Sequence, residues 1–372
     1  RLVDTDDDGV NDDVEADNDT LLTSALSPST YRALALDGAG DYVALPNVST
    51  LAAEAQWSLE AWVRPDQMDN TTGEIVSRIV GVGPHSYSAA GDVDFDDTAD
   101  PDRITTAAGD FAAAGLTVGQ RIRVNGGTND GRLYTIGAMP DSQTIEVLPT
   151  DAVVDSGGVD PATVTVTALL HNYRLYVTDV DPADDVTQLQ VVVAYETVGG
   201  DTVSVTSGTR SLPNNSATWT HVAGGYDDGD GTLRLYVGGV LVNQTESADT
   251  PVTSGVGPAY TRIGESFAGL LDDVRVRSDY DISAAASWHL GRDSNRVLSD
   301  VPGVRVPRHY YRFDDGGTSV KDFGTEAPDN DWQNNWQNGG ALVGDATFFD
   351  YPSNDASPVQ DMRTDTDEDG LP

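Results

Sequence analysis

The 372-residue chain has no cysteine, one lysine (Lys321) and no apolar run near the length of a membrane span. Without cysteine there are no cross-links, so stability has to come from a large core and from metal. Without a long apolar run there is no spanning helix, and no membrane insertion is expected. No signal peptide is visible, and the chain opens at Arg1 inside a motif, so a targeting segment is expected upstream. Basic charge is also scarce. With 61 acidic against 21 basic residues and a formal net charge of -40, the chain repels nucleic acid and anionic membranes, which excludes both as partners.

What is present is apolar enough to fold. A hydrophobic content of 38% in this length supports one large core or two to three smaller ones. The acid is mainly Asp, and two explanations stay open. Short carboxylates on tight turns suit oxygen-ligated calcium, while an acidic coat almost without lysine suits a halophilic protein that stays hydrated in high salt.

The strongest local pattern is at the ends. Asp4-Thr-Asp-Asp-Asp-Gly9 recurs as Asp365-Thr-Asp-Glu-Asp-Gly370, which marks a repeat boundary. In the first copy Asp4, Asp6, Asp8, Val10, Asp12 and Glu15 fall at the one-three-five-seven-nine-twelve spacing of a calcium loop, with Gly9 at the sharp turn. Asp365, Asp367 and Asp369 are the matching ligands of the second. The flanks lack apolar helical periodicity, so this is no EF-hand helix pair. The segment resembles thrombospondin type 3 calcium repeats, a resemblance that implies stiff, metal-filled linkers between domains.

From Tyr31 onward, short β-branched and aromatic runs alternate with Gly, Asp and Asn turns, the pattern of an all-β sandwich or barrel. Trp57–Val63, Leu189–Val193 and Leu233–Val237 read as strands. One helix is expected, capped by Asp281 or Ser283 and running through Trp288 to Gly291. Leu34-Ala-Leu-Asp37-Gly-Ala-Gly-Asp41-Tyr-Val43 and Leu59-Glu-Ala-Trp62-Val63, followed in order by Trp219–Ala223, Leu235–Gly239, Arg262–Gly264 and Phe267–Val276, resemble a laminin G-like, concanavalin A-like jelly roll. After Arg78 the chain departs from that pattern for about ninety residues, far beyond ordinary loop length. Runs at Arg103, Gly119–Val124, Gly131–Ile136, Thr144–Val147 and Ala162–Thr167 predict an inserted small β-barrel domain, similar to modules in bacterial and phage surface proteins.

The expected organisation is therefore a calcium-binding linker at 1–25, a sandwich at 26–85 and 170–280, an inserted barrel at 86–169, and a helix and linker at 281–304. Strands at 305–352 complete this sandwich or the next one, and 353–372 starts another calcium repeat.

The laminin G-like resemblance implies a further calcium ion held by Asp37, Asp41 and Asp272; the alternative is that Asp37 and Asp41 only make an Asx-type hairpin turn. Trp332 and Trp336 lie among amides, a composition that grips sugar rings or equally packs on the sandwich. No strand carries the Glu-x-Asp-x-Glu spacing of sandwich glucanases. His221 sits in an alternating strand and reads as a core or rim residue. Asn-x-Ser/Thr sites occur at Asn18, Asn47, Asn70, Asn214 and Asn243.

The sequence thus points to a non-catalytic repeat unit of a calcium-stabilised extracellular or cell-surface adhesin or filament. Its expected partners are neighbouring repeats or identical subunits, and polysaccharide or glycoprotein. A lectin-like carbohydrate-binding module is the alternative, and a glycoside hydrolase a remote one.

Overall fold

The structure is a computed structural model describing residues 32–350 apart from 53–55, 67, 69–71, 149–151, 180–187, 209–211, 214–218, 258, 278–308, 312, 314–318, 321 and 323–339. The calcium-loop positions from Asp4 to Glu15 and from Asp365 to Asp369, the expected helix through Trp288, and both Trp332 and Trp336 lie outside the described residues.

The strands in chain order are β1 (Arg32–Asp37), β2 (Tyr42–Leu45), β3 (Trp57–Pro65), β4 (Thr72–Ala90), β5 (Val93–Asp96), β6 (Arg103–Thr106), β7 (Arg121–Asn125), β8 (Leu133–Asp141), β9 (Thr144–Val147), β10 (Thr163–Asp179) and β11 (Gln188–Glu196). They continue with β12 (Thr202–Thr206), β13 (Leu212–Pro213), β14 (Thr220–Asp227), β15 (Thr232–Val237), β16 (Val240–Glu246), β17 (Tyr260–Ile263), β18 (Ala268–Arg277), β19 (His309–Tyr311), β20 (Ser319–Val320), β21 (Gly340–Val343) and β22 (Thr347–Asp350). Every pairing among them is antiparallel.

Two sheets face each other. The first runs β16-β15-β14-β3-β18-β1-β22, with β19 also on β18; the second contains β20-β21-β2-β17-β4-β10, with β11 on β10. Alternation explains what each strand buries. On β3, Trp57, Leu59, Ala61 and Val63 enter the core, which puts Ser58, Glu60, Trp62 and Arg64 on the other face. Trp57 is fully buried between the sheets, 5.8 Å from the Tyr173 ring and edge-on to Tyr195. Truncating such a residue to Ala typically costs about 3–5 kcal/mol. The described strands from His309 onward pair with β18, β2 and β1 of the sandwich, β20 joining through β21.

The long strands β4 and β10 carry the chain out of the sandwich into a second core. Their far ends join β7, β8, β9, β6 and β5 around Phe95, Phe111, Ile122, Tyr134, Val164 and their neighbours. Among the described residues this path ends at β5, which pairs with β6 alone, and a loop lies along its other side. Ser156 and Asp160 donate backbone N–H to Phe95 and Val93 on the outer side of β5, and the chain then enters β10. At the waist between the cores, β4 and β10 shift register three times between Thr167 and Tyr173, the kinking and twisting that bulges produce.

Candidate functional site

At one end of the sandwich, two turns that cross between the sheets meet. The β1–β2 turn begins as an Asx turn, with the Ala39 N–H donating to Asp37 Oδ1 at 2.7 Å. Asp41, 1% exposed, then clamps both turns: its Oδ2 accepts from the Asp37 N–H at 3.2 Å and its Oδ1 from the Asp345 N–H at 2.8 Å, in the β21–β22 turn. Gly344 makes this approach feasible. It has φ +78°, and a Cβ there would lie 2.2 Å from Asp41 Oδ1.

The result is a set of carboxylate oxygens from Asp37, Asp41 and Asp345 within 4.8 Å of one another. Among the described residues, no salt bridge neutralises them. Oxygen-only donors and concentrated negative charge fit a hard divalent cation such as calcium, whose remaining positions backbone carbonyls and water can fill. Asp272, expected as the third ligand, is not in this set. Asp37 pairs with Ala268, so Asp272 sits four residues further along β18, about 13 Å away at strand rise. Asp345 takes its place. The Asx turn and the carboxylate cluster coexist, so the two readings of Asp37 and Asp41 are compatible.

Beside this corner lies a cavity of about 440 Å³ lined by Ala35, Asp37, Arg64, Asp66, Ala268 and Leu270 among others. Asp37 is shared by the cluster and the cavity. The Arg64 guanidinium lies 5.7 Å from the Trp219 ring, and Trp219 packs with Ala33, Ala35 and Leu270. The cavity therefore combines an apolar floor, charged walls and an indole at its side.

Other carboxylates are arranged differently. On the outward side of the first sheet, Glu60 accepts from Arg277 Nε at 2.8 Å and faces Arg275 at 3.6 Å and His221 Nε2 at 3.4 Å. Burial alone would raise the Glu60 pKa, but Arg277, His221 and Arg275 override it and hold the carboxyl well below its usual range. Burial lowers His221 to about 4 against the partial opposition of Glu60. Asp273 pairs with Arg275 at 3.6 Å and accepts from the Tyr310 hydroxyl. Asp272 and Asp273 do not alternate as regular strand neighbours, since Asp273 has φ +50° and β18 shifts register there. An ionised Glu60 locked on arginines cannot serve as the proton donor of a carboxylate pair.

A second ionic cluster joins the inserted segment to the sandwich. Arg121 of β7 holds Glu265 through two bonds of 2.7 and 2.6 Å, while Arg262 meets Glu265 between the rings of Tyr42 and Tyr260. Arg174 pairs with Glu74 and donates to the Gly119 carbonyl at 3.0 Å. Sequence reading missed these residues, although Glu60 between Leu59 and Ala61, and Arg275 and Arg277 alternating with Val274 and Val276, carried a signal: charge at regular intervals in apolar strands.

The family model described as the concanavalin A-like lectin/glucanases superfamily matches residues 149–284, which span β10 to β18. The fold is a concanavalin A-like jelly roll. No curated protein sequence matches the chain. Among solved structures, a Bacteroides ovatus protein is similar at 15% identity and TM-score 0.36 over 86% of this chain, which spans 60% of that protein's length. The CBM40 of Ruminococcus gnavus IT-sialidase, bound to α2,6 sialyllactose, is similar at 11% identity and TM-score 0.36, over 69% of this chain and 96% of that one. A heptameric pentraxin from Limulus polyphemus is similar at 11% identity and TM-score 0.27, over 66% of this chain and 79% of that one.

Proposed function

We propose that this jelly roll is a non-catalytic, calcium-braced extracellular module that binds carbohydrate at the Asp37 end. The observation that carries the reading is the juxtaposition of Asp37, Asp41 and Asp345 with a cavity that shares Asp37 and presents Arg64, Asp66 and nearby Trp219. An indole face and convergent polar groups suit a sugar ring, and a cation at the corner would fix the cavity's wall and offer open positions to hydroxyls. The superfamily match over 149–284 supports a lectin-like role.

The repeated Asp-Gly motifs at Asp4 and Asp365 support a second element of the reading. As calcium-filled linkers they would hold this module in line with neighbouring repeats of an adhesin or filament.

A glycan array probed with the full chain, in calcium and in chelator, tests the recognition claim. Calcium-dependent signal that an Asp345→Asn or Trp219→Ala variant abolishes is the expected result. Binding that ignores both chelation and these substitutions would remove the corner from the function.

A further inference from the structure

We infer that Asn243 is an oligosaccharide attachment site whose glycan guards the open flank of the sandwich. This rests on the chain being exported, and not on its binding sugar or calcium.

Two sheet edges meet on this flank. β16 ends the first sheet, and among the described residues nothing pairs with its outer side; β12 pairs only with β11 in the second. An unpaired edge is a template for another chain, and proteins usually blunt it with Lys, Pro, brevity, a bulge or a cover. The seven residues of β16, Val-Leu-Val-Asn-Gln-Thr-Glu, include no Lys or Pro, and Val240 and Leu241 are each 44% exposed. One register shift opposite Leu235–Tyr236 is the only irregularity in its pairing. At the centre of this edge stands Asn243-Gln-Thr245, an acceptor sequence with an exposed asparagine.

The side chain is placed to cover both edges. Asn243 pairs with the inward-facing Leu235, and its Nδ2 donates to the Thr206 carbonyl of β12 at 3.0 Å, so it stands between the two sheets' rims. Asn47, the other acceptor among the described residues, is exposed as well, but its Oδ1 accepts from Arg78 Nη2 at 3.1 Å and it lies on no strand edge. Attachment would take the sugar from a lipid-phosphate-linked oligosaccharide. The bond from the anomeric carbon to the donor's phosphate oxygen breaks, the bond to Asn243 Nδ2 forms, one amide proton is lost, and the lipid phosphate leaves. The amide keeps one N–H, sufficient for the bond to Thr206.

The test uses the full chain secreted from a host that glycosylates exported proteins. Glycopeptide mass spectrometry is expected to find an oligosaccharide on Asn243, and Asn243→Gln and Thr245→Ala are each expected to lose it. Enzymatic removal from the wild-type chain checks the same point without a variant. Light scattering on a sizing column should then show the glycan-free forms at twice the monomer mass or more, and adding Leu241→Lys should return them to monomer. A folded secreted chain with bare Asn243 overturns the site. A glycosylated chain that stays monomeric once stripped overturns the guarding role.

Discussion

The carboxylates behind β3 and those at the Asp37 corner are the same chemical group under opposite conditions. Glu60, Asp273, Glu74 and Glu265 are each 5% exposed or less, and each faces an arginine. Asp37, Asp41 and Asp345 converge within 4.8 Å, yet among the described residues no salt bridge neutralises them. In a protein with only 21 basic residues, the described arginines that pair with buried acids stabilise the fold, and a cluster left without one is suited to a cation from solution.

The largest effect should come from breaking an arginine-paired site. Glu60→Gln leaves Arg275 and Arg277 buried without their shared carboxylate, and urea unfolding at neutral pH should show a loss of about 3–5 kcal/mol. A loss under about 1 kcal/mol would mean that solvent screens the cluster, contrary to its burial.

Acid should act on the same cluster. His221 has a folded pKa of about 4 against an ordinary 6.5, so the unfolded chain binds the proton first. Its contribution is fully present above about pH 6.5 and is lost as pH falls toward 4, about 3 kcal/mol in all. The depressed Glu60 carboxyl acts in the same direction at lower pH. His221→Gln should flatten the pH 4–7 slope of the unfolding free energy; an unchanged slope would place the proton uptake elsewhere.

Calcium should come next in size. At a hundredfold excess over its dissociation constant, one bound ion adds about 2.7 kcal/mol. Differential scanning calorimetry in calcium and in chelator measures the total from the corner and from the terminal loops. Equal melting temperatures in the two conditions would contradict both.

Much of the fold was legible because burial writes a period. Leu233–Val237 alternates cleanly, Trp57–Val63 is rich in aromatic and β-strand-forming residues, and the structure makes both strands, β15 and β3. The inserted strands were legible for the same reason. Their attachment was not: β4 and β10 run continuously through both cores, whereas Gly81-Val-Gly-Pro84 in β4 reads in sequence as a break.

The corner was legible by half. Asp37 and Asp41 share one turn, so local sequence brings them together, whereas Asp345 arrives 304 residues after Asp41 through strand pairing. Asp272 was a reasonable third ligand only if β18 presented it near the turn, and the β1–β18 register places it elsewhere. The arginine partners of Glu60 and Glu265 were hidden similarly, because opposite charges on strands far apart in sequence reveal nothing until the register is known.

The most direct test of the contrast compares Asp345→Asn with the wild-type chain. Asp345 is exposed and donates only its backbone N–H to Asp41, so in chelator the substitution should change stability by less than about 0.5 kcal/mol, or raise it by relieving repulsion. In calcium the same variant should melt below the wild type, since only the corner is altered and the terminal loops respond equally in both proteins. A crossing of the two melting temperatures between chelator and calcium is the expected result. Two proteins that shift in parallel would show that the corner is a hairpin turn and nothing more.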